Sequence, residues 1–338
     1  MGGSCVSVAL ALVAAEGLAR RWAPDYLSRT RGLYVHSRTY GWVGRPGAVA
    51  PMGSGRISLD ARGYRTRPLA PPGADSRTRV IVLGDSIAAG YGVSDEQTFP
   101  RLLDARDNGI AVENLAVEGY GPGQELLVLR RDALRQQPDV VVLAVCLRND
   151  LVDSALPVAL YDGVTPRPVF RLVGGQLVLD DSPVRRTAAG RALQWLSDYS
   201  HLFNRLSALV PRPAIVQERT WRYRKREVLS DADYAFRLAM ALIEEMRNEC
   251  RRRGIPFLIA TFPNGVSYEL RPQLQERLHA ALRAEGAWVL DMGARFHALG
   301  LTPAELALDD VGHLTPRGHL VSCEILEREI ASQAGPRR

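Results

Sequence analysis

An unbroken apolar run at residues 80–83 stops abruptly at Gly84-Asp85-Ser86. A run without polar alternation is typical of a strand whose two faces are both covered, as in a parallel sheet. In open α/β sheets, ligands bind outside the carboxyl ends of the strands. We therefore expect Ser86 to lie where a substrate would meet the sheet.

From residue 79 onward, the chain alternates short apolar runs with amphipathic stretches. Further strands are predicted at residues 111–115, 139–145, 256–261 and 287–290, and helices at 98–107, 123–136, 230–253, 271–284 and 315–330. This alternation predicts an α/β fold built on a parallel sheet with right-handed crossovers.

The rest of the chain divides around this core into three further segments. We expect residues 1–24 to form an apolar signal or anchor segment, and 25–78 to form an extension and linker before a main domain at 79–338. The alternation breaks at 151–229, which we interpret as an insertion that overhangs the site. Within the insertion, the sequence predicts a hairpin at 169–179, turning on Gly174-Gly175, and a helical stretch at 186–209.

The N-terminus carries an apolar run of eleven residues at 5–15. A membrane span needs about 20 apolar residues, whereas the core of a signal peptide needs about 7 to 15. The run therefore fits an export signal or a shortened membrane anchor, with the body outside the cytoplasm. Arg20 and Arg21 follow the run, and that charge order alone would keep the body in the cytoplasm.

Charge and metal-ligand spacing exclude several classes of function. The net charge of +6 is spread along the chain, and the one dense basic run, at 221–226 around the single lysine Lys225, favours a solvated helix face over a nucleic-acid partner. The four cysteines form no C-x-x-C pair and the histidines no H-E-x-x-H motif. Nothing in these patterns therefore requires a metal, and the oligomeric state stays open.

A serine nucleophile needs a base and a group that orients that base. The D-x-x-H spacing of Asp310 and His313 lets one loop present a carboxylate to the imidazole, while Asp309 is one residue out of step. We therefore predict His313 as the base and Asp310 as its partner. His319, on the last predicted helix, is interpreted as structural.

Two strand ends offer donors for an oxyanion. Gly119 follows the second predicted strand, and a glycine can bring its backbone N–H close to a reacting atom. Asn149 follows the third, and its amide donates without adding charge. The alternatives are a flexible turn at Gly119 and a cap at Asn149.

Together these blocks resemble the SGNH, or GDSL, hydrolase superfamily, whose members carry Ser, Gly, Asn and His in this order. They read GDSIAAG at Ser86, NLAVEG at Gly119, RND at Asn149 and DDVGH at His313. The resemblance implies a flavodoxin-like three-layer α/β/α fold and ester hydrolysis without metal or organic cofactor. It assigns the Ser86 and Gly119 N–H groups and the Asn149 amide to the oxyanion hole, and gives Asp85 no catalytic role.

Two stretches, LDARGYR before Ser86 and GYGV shortly after it, resemble exported bacterial members with an N-terminal membrane segment. The function expected is hydrolysis of small acyl esters, such as acetyl groups on a carbohydrate or a lipid ester. Two alternatives stay open. The same groups could transfer the acyl group to a sugar hydroxyl, or the fold could serve as a binding module without turnover.

Overall fold

The computed structural model describes residues 2–22, 33–52, 54–65, 67–74, 76–159, 165–185, 188–209, 232–263 and 272–333. The strands are β1 Tyr34–Ser37, β2 Gly41–Gly44, β3 Val49–Met52, β4 Gly55–Ser58, β5 Thr78–Gly84, β6 Ile110–Asn114, β7 Val140–Cys146, β8 Val169–Val173, β9 Gln176–Asp180, β10 Phe257–Phe262 and β11 Trp288–Asp291. The helices are α1 Gly2–Trp22, α2 Ser86–Ala89, α3 Phe99–Ala105, α4 Pro122–Val128, α5 Asp150–Asp153, α6 Ala188–Tyr199, α7 His201–Leu209, α8 Ala232–Arg251, α9 Pro272–Ala284, α10 Met292–Ala298, α11 Pro303–Leu306 and α12 Pro316–Gln333.

Five parallel strands form the central sheet in the order β11-β10-β7-β5-β6. Numbered by their own succession in the chain, these strands run 2-1-3-4-5 from the β6 edge, which is the flavodoxin-like order. In such a sheet the direction in which successive strands are added reverses between the first and third strands, here β5 and β7. A crevice opens there, at the carboxyl ends of these two strands. The predicted α/β fold is confirmed.

Alternate residues of each strand supply two separate cores, one on either face of the sheet. Ile81 and Leu83 of β5 pack with α4, α8 and α9, whereas Val80 and Val82 pack with α2, α3, α10 and α12. All seven residues of β7 are buried. Because both faces are covered, the strands read as continuous apolar runs, which explains why the sequence pattern located them.

Two helices differ from their predictions. The helix expected at 123–136 is α-helical only at Pro122–Val128, and continues as a π turn at Leu129–Ala133 and a 3-10 turn at Leu134–Gln136. The stretch expected at 186–209 forms two helices, α6 and α7, which meet at Ser200. The predicted hairpin is confirmed as β8 and β9.

Arg65, in the N-terminal extension, stabilises the loop that follows the Ser86 turn. Its buried guanidinium pairs with Asp95 at 2.6 Å and donates to the carbonyl oxygens of Ala89, Gly90 and Val93. A single guanidinium satisfies several carbonyls because it carries five donors in a fixed fork. The extension therefore helps to hold the backbone beside the site.

Glu16 joins α1 to the start of α7. Its carboxylate accepts from the backbone N–H groups of His201 and Leu202 at 3.0 Å and from the Ser200 hydroxyl at 2.8 Å. Burial would raise the pKa of Glu16, but these hydrogen bonds outweigh it and lower the pKa to about 2. An acidic side chain is favourable there because it faces the positive end of the helix dipole.

No helix in the described ranges is both long enough and apolar enough to cross a bilayer. The predicted N-terminal membrane segment thus finds no support in the fold. Residues 210–231, with the basic run at 221–226 and the start of the helix expected at 230, lie outside the described residues, as does residue 271 at the start of the helix expected at 271–284.

Candidate active site

The turn between β5 and α2 presents Ser86 at the carboxyl edge of the sheet. Gly84 lies so close to β7 that a Cβ there would be 2.9 Å from the Ala144 carbonyl oxygen. Asp85 caps α2 by accepting from the Ile87 N–H at 2.9 Å. Ser86 is the first residue of α2 and is half-buried. The expected position of Ser86 agrees with the structure.

Ser86, His313 and Asp309 form one continuous hydrogen-bonded chain. The Ser86 Oγ lies 2.8 Å from the His313 Nε2, and the His313 Nδ1 lies 2.6 Å from the Asp309 Oδ2. A carboxylate can only accept, so Nδ1 carries the ring proton and the Nε2 lone pair faces the serine hydroxyl. This is the tautomer that can remove a proton from Ser86.

The carboxylate against His313 belongs to Asp309, so the prediction of Asp310 for this contact is wrong. The loop turns tightly through Gly312, and the Asp309 Oδ1 satisfies that turn by accepting from the N–H groups of Val311, Gly312 and His313 at 3.1–3.2 Å. The Asp310 side chain is 61% exposed and instead pairs with Arg148 at 2.8 Å. The D-x-x-H spacing predicted the wrong aspartate because the turn places Asp309, four positions before His313, against the imidazole ring.

The Asp309 carboxylate is held in its charged form. Burial alone would raise its pKa, but the hydrogen bond and charge of His313, together with the backbone donors of the turn, outweigh burial and lower the pKa. The Tyr91 ring packs against the imidazole of His313, with ring centroids 4.4 Å apart. The sequence prediction missed Tyr91, although it lies only five residues after Ser86.

Gly119 lies in the loop after β6, which runs alongside the Ser86 turn. The Val117 N–H in this loop donates to the Gly84 carbonyl at 3.1 Å. Gly119 has φ +71°, a conformation that L residues with side chains rarely adopt. Among the described residues, the N–H groups of Ser86 and Gly119 have no hydrogen-bond acceptor. Both are thus free to donate to a substrate atom.

Asn149 reaches the same edge of the sheet, but its amide nitrogen is engaged. The Nδ2 donates to Asp85 at 3.1 Å and to Asp153 at 2.9 Å, with Asp150 at 3.3 Å. The Oδ1 is buried without a partner among the described residues. An amide nitrogen has two hydrogens, so donation to an oxyanion requires one of them to leave a carboxylate.

Three buried carboxyl groups contact this amide and two more interact electrostatically with them, and the sequence prediction missed this cluster. Burial raises the pKa of every member; the cluster consists of Asp85, Glu118, Glu125, Asp150 and Asp153. For Glu118 the pKa rises to about 7. The charge of Arg167 lowers the pKa of Glu125 and of Asp153, and the charge of Arg65 lowers the pKa of Glu118. Only Asp150 and Asp153 are close in sequence, three positions apart, and the other members lie on separate segments, so residue spacing gave no signal of the cluster.

His319 is placed away from the reacting groups. Its Nδ1 accepts from the Phe99 N–H at 3.1 Å, and its ring stacks on Phe99. Burial lowers the pKa of His319 to about 3, so it stays neutral. This agrees with the structural role expected for it. Within the described ranges, no group of three or more His, Cys, Asp or Glu residues is arranged to hold a metal ion.

A hydroxyl, an imidazole and a carboxylate in line, beside free backbone donors, define the arrangement of a serine hydrolase. The family model for the GDSL-like Lipase/Acylhydrolase family matches residues 82–321. The chain belongs to this family of acylhydrolases, which places its activity among the carboxylic ester hydrolases. No curated protein matches it.

Solved structures to which this chain is similar come from several bacteria. A GDSL-like lipase from Bacteroides thetaiotaomicron is 14% identical, with 78% of this chain and 93% of that chain covered and a TM-score of 0.42. The acetylxylan esterase Axe2 from Geobacillus stearothermophilus is 13% identical, with 76% and 95% covered and a TM-score of 0.43. A lipolytic protein of the G-D-S-L family from Veillonella parvula is 13% identical, with 77% and 99% covered and a TM-score of 0.42. Because these TM-scores are low, the family assignment rests on the sequence match.

Proposed function

We propose that this protein hydrolyses small acyl esters through a covalent intermediate on Ser86, with His313 as the base and Asp309 as its orienting carboxylate. The observation that carries the proposal is the continuous chain from the Ser86 Oγ to the Asp309 Oδ2, with contacts of 2.8 and 2.6 Å. The role that the sequence assigned to Asp310 passes to Asp309, because Asp309 is the carboxylate in contact with the imidazole.

In the first half of the reaction, the His313 Nε2 takes the hydroxyl proton as the Ser86 Oγ attacks the ester carbonyl carbon. The carbonyl oxygen becomes negatively charged and is met by the Ser86 and Gly119 N–H groups, with the Asn149 amide as a third donor. Collapse of this intermediate breaks the bond to the alcohol, which leaves with the proton from His313. The acyl group then remains on Ser86.

In the second half, a water molecule takes the place of the alcohol. His313 removes one proton from that water as the water oxygen attacks the acyl carbon. The bond between the acyl carbon and the Ser86 Oγ then breaks, His313 returns the proton to Oγ, and the carboxylic acid departs. Asp309 stabilises the imidazolium that forms in each half because the pKa of Asp309 is low and its carboxylate stays charged. We propose short acyl groups, such as acetyl groups on a carbohydrate or a lipid ester, as the substrate class.

The test is steady-state hydrolysis of an aryl acetate by wild-type protein and by Ser86→Ala. We expect Ser86→Ala to remove nearly all turnover while leaving the melting temperature close to that of the wild type. The matched control is Ser332→Ala, since Ser332 is an exposed serine on α12 whose hydroxyl only donates to the Glu329 carbonyl. Equal turnover by Ser86→Ala and Ser332→Ala would contradict the proposal.

Adding a sugar acceptor to the same assay separates hydrolysis from acyl transfer. A hydrolase releases free acetate at a rate that the acceptor does not change, whereas a transferase converts the acceptor to its acetyl ester. Reaction of Ser86 with a fluorophosphonate probe separates both from a binding module, which would leave the probe unreacted.

We also propose that the protein acts at a membrane on the extracytoplasmic side. Support comes from the apolar run at 5–15 and from the resemblance of LDARGYR and GYGV to exported members. The test is fractionation of cells that make the full-length chain, followed by protease treatment of intact cells. Recovery of uncleaved chain in the soluble cytoplasmic fraction would overturn the proposal and favour the charge order at Arg20 and Arg21.

A further inference from the structure

Asp153 and Arg167 form an ion pair directly beneath Asn149. The Arg167 Nη2 lies 2.6 Å from the Asp153 Oδ1, and each side chain is only 2% exposed. The other oxygen of the same carboxylate accepts from the Asn149 Nδ2 at 2.9 Å. One carboxylate therefore connects a buried guanidinium to the amide that is proposed to meet the oxyanion.

Arg167 is itself fixed from three directions. Its backbone N–H donates to the Pro157 carbonyl at 3.0 Å, and its Nη1 donates to the Gln124 Oε1 at 3.3 Å. The guanidinium also lies 5.5 Å from the centroid of the Trp42 ring, which belongs to the N-terminal extension. Its Nε is buried without a partner among the described residues. These contacts and the burial of the side chain restrict where the guanidinium can lie.

A close approach of backbone and side chains leaves this pair no room to shift. A Cβ at Gly121 would lie 2.8 Å from the Asp153 Cβ and 3.3 Å from the Arg167 Nη1. Removing one partner of a buried ion pair is strongly destabilising, because it leaves an uncompensated buried charge. The desolvated pair therefore acts as a rigid support for whatever it bonds.

The charge of Arg167 decides whether Asp153 can support Asn149. Asp153 is surrounded by other buried carboxyl groups, and burial raises its pKa, whereas Arg167 and the Asn149 amide lower it. Loss of the guanidinium would raise the pKa of Asp153 further and favour its protonated form, in which one of the two oxygens is a donor instead of an acceptor. A protonated carboxyl would then present a hydroxyl donor to an amide that is itself donating.

We propose that Asp153 and Arg167 are positioning residues that hold the Asn149 amide for donation to the oxyanion. The amide pivots on its bond to Asp153, and the hydrogen now on Asp85, the residue before Ser86, turns to the oxyanion. Through its contacts with Trp42 and Asp153, Arg167 thereby connects the N-terminal extension and the insertion after residue 151 to the Asn149 amide. The proposal rests on the ester hydrolase function proposed above.

The central test is the double variant Asp153→Asn/Arg167→Gln, which removes both charges and leaves no unpaired buried ion. A misplacement of about 1 Å in a catalytic group costs roughly 100-fold in rate. We therefore expect kcat to fall by about 10- to 100-fold with KM changed less than about twofold. Normal kcat in a folded double variant, judged by its melting curve, would overturn the proposal.

A second measurement separates positioning from a general structural effect. If the pair acts through Asn149, the same two changes made in an Asn149→Ala background should cost less than about threefold in kcat, because the group that they position is already gone. A loss as large as in the wild-type background would mean that the pair acts by another route and would overturn the proposal.

Arg62→Gln provides the matched control. Arg62 pairs at 2.6 Å with Glu113, whose side chain is fully buried, so the variant disturbs a second buried ion pair. Unlike the double variant, it leaves the buried carboxylate without its cation, and it therefore tests a purely structural effect more severely. We expect Arg62→Gln to lower the melting temperature and leave kcat unchanged. Failure of the proposed ester hydrolase function can be distinguished from failure of this positioning role, because it would appear as wild-type turnover that Ser86→Ala does not remove.

Discussion

Replacing Asp309 and Asp310 by asparagine, one at a time, tests which carboxylate orients His313. Asp309→Asn removes the charge 2.6 Å from the imidazole, whereas Asp310→Asn removes an exposed partner of Arg148. Both changes keep the size of the side chain and lie one residue apart. The pair of variants therefore differs chiefly in contact with His313.

The magnitude of the Asp309→Asn effect follows from this contact. A hydrogen bond to a charged group contributes roughly 1.5 to 3 kcal/mol, and because the Asp309 side chain is 34% exposed, we take the lower end, which corresponds to at least about a tenfold loss of kcat. The Asn amide can also present its N–H to Nδ1 and favour the wrong tautomer, an effect that reaches about 10⁴-fold in other serine hydrolases. We therefore expect a fall between these limits.

Asp310→Asn should behave very differently. Exposed ion pairs contribute roughly 0.2 to 1 kcal/mol to stability, so we expect kcat within about threefold of the wild type and a small change in melting temperature. The assay is aryl acetate hydrolysis with kcat and KM determined separately, alongside thermal unfolding of the same preparations. A large loss in Asp310→Asn with normal turnover in Asp309→Asn would refute the reasoning.

Two further predictions concern the carboxyl cluster and the oxyanion loop. Burial raises the pKa of Glu118 from 4.5 to about 7, so the folded protein holds this proton more tightly than the unfolded chain does. The protein therefore loses up to about 3 kcal/mol of stability as pH rises through this window. Glu118→Gln should unfold at a higher temperature than the wild type at pH 8 but not at pH 4, and an equal gain at both pH values would contradict the assignment. Gly119→Ala should cost about 1 to 2 kcal/mol of stability because φ is +71°, and should also lower kcat by at least about tenfold as the N–H shifts. Gly109→Ala, at φ +70° in open space, should show the same loss of stability with normal kcat, and equal kcat in the two variants would exclude Gly119 from the oxyanion site.

The sheet was predictable from the sequence because its strands are buried on both faces. The runs at 80–83 and 139–145 have no polar alternation, and the structure has β5 and β7 there, paired in parallel. The helix expected at 123–136 was predicted less well. Its amphipathic pattern continues through Leu129–Ala133, where the backbone widens to a π turn that apolar spacing does not reveal.

At the site, the sequence predicted residues that lie at strand ends and missed those set by tertiary contact. Ser86 and Gly119 follow strands whose register fixes their position, and His313 reaches Ser86 across the sheet edge. The choice between Asp309 and Asp310 depended on the hydrogen bonds of one turn, to which residue spacing is blind. Arg167 lies 14 residues after Asp153 in a segment of irregular pattern, so nothing in the sequence linked it to Asn149.

The most direct test of the account is detection of the acyl-enzyme. Wild-type protein mixed with excess aryl acetate and quenched in acid within the first turnovers should gain the mass of one acetyl group, which peptide mapping should place on Ser86. His313→Ala should form this species far more slowly, because no base removes the hydroxyl proton. Turnover by the wild type with no acetyl group on Ser86, or with the group on another residue, would contradict the central claim.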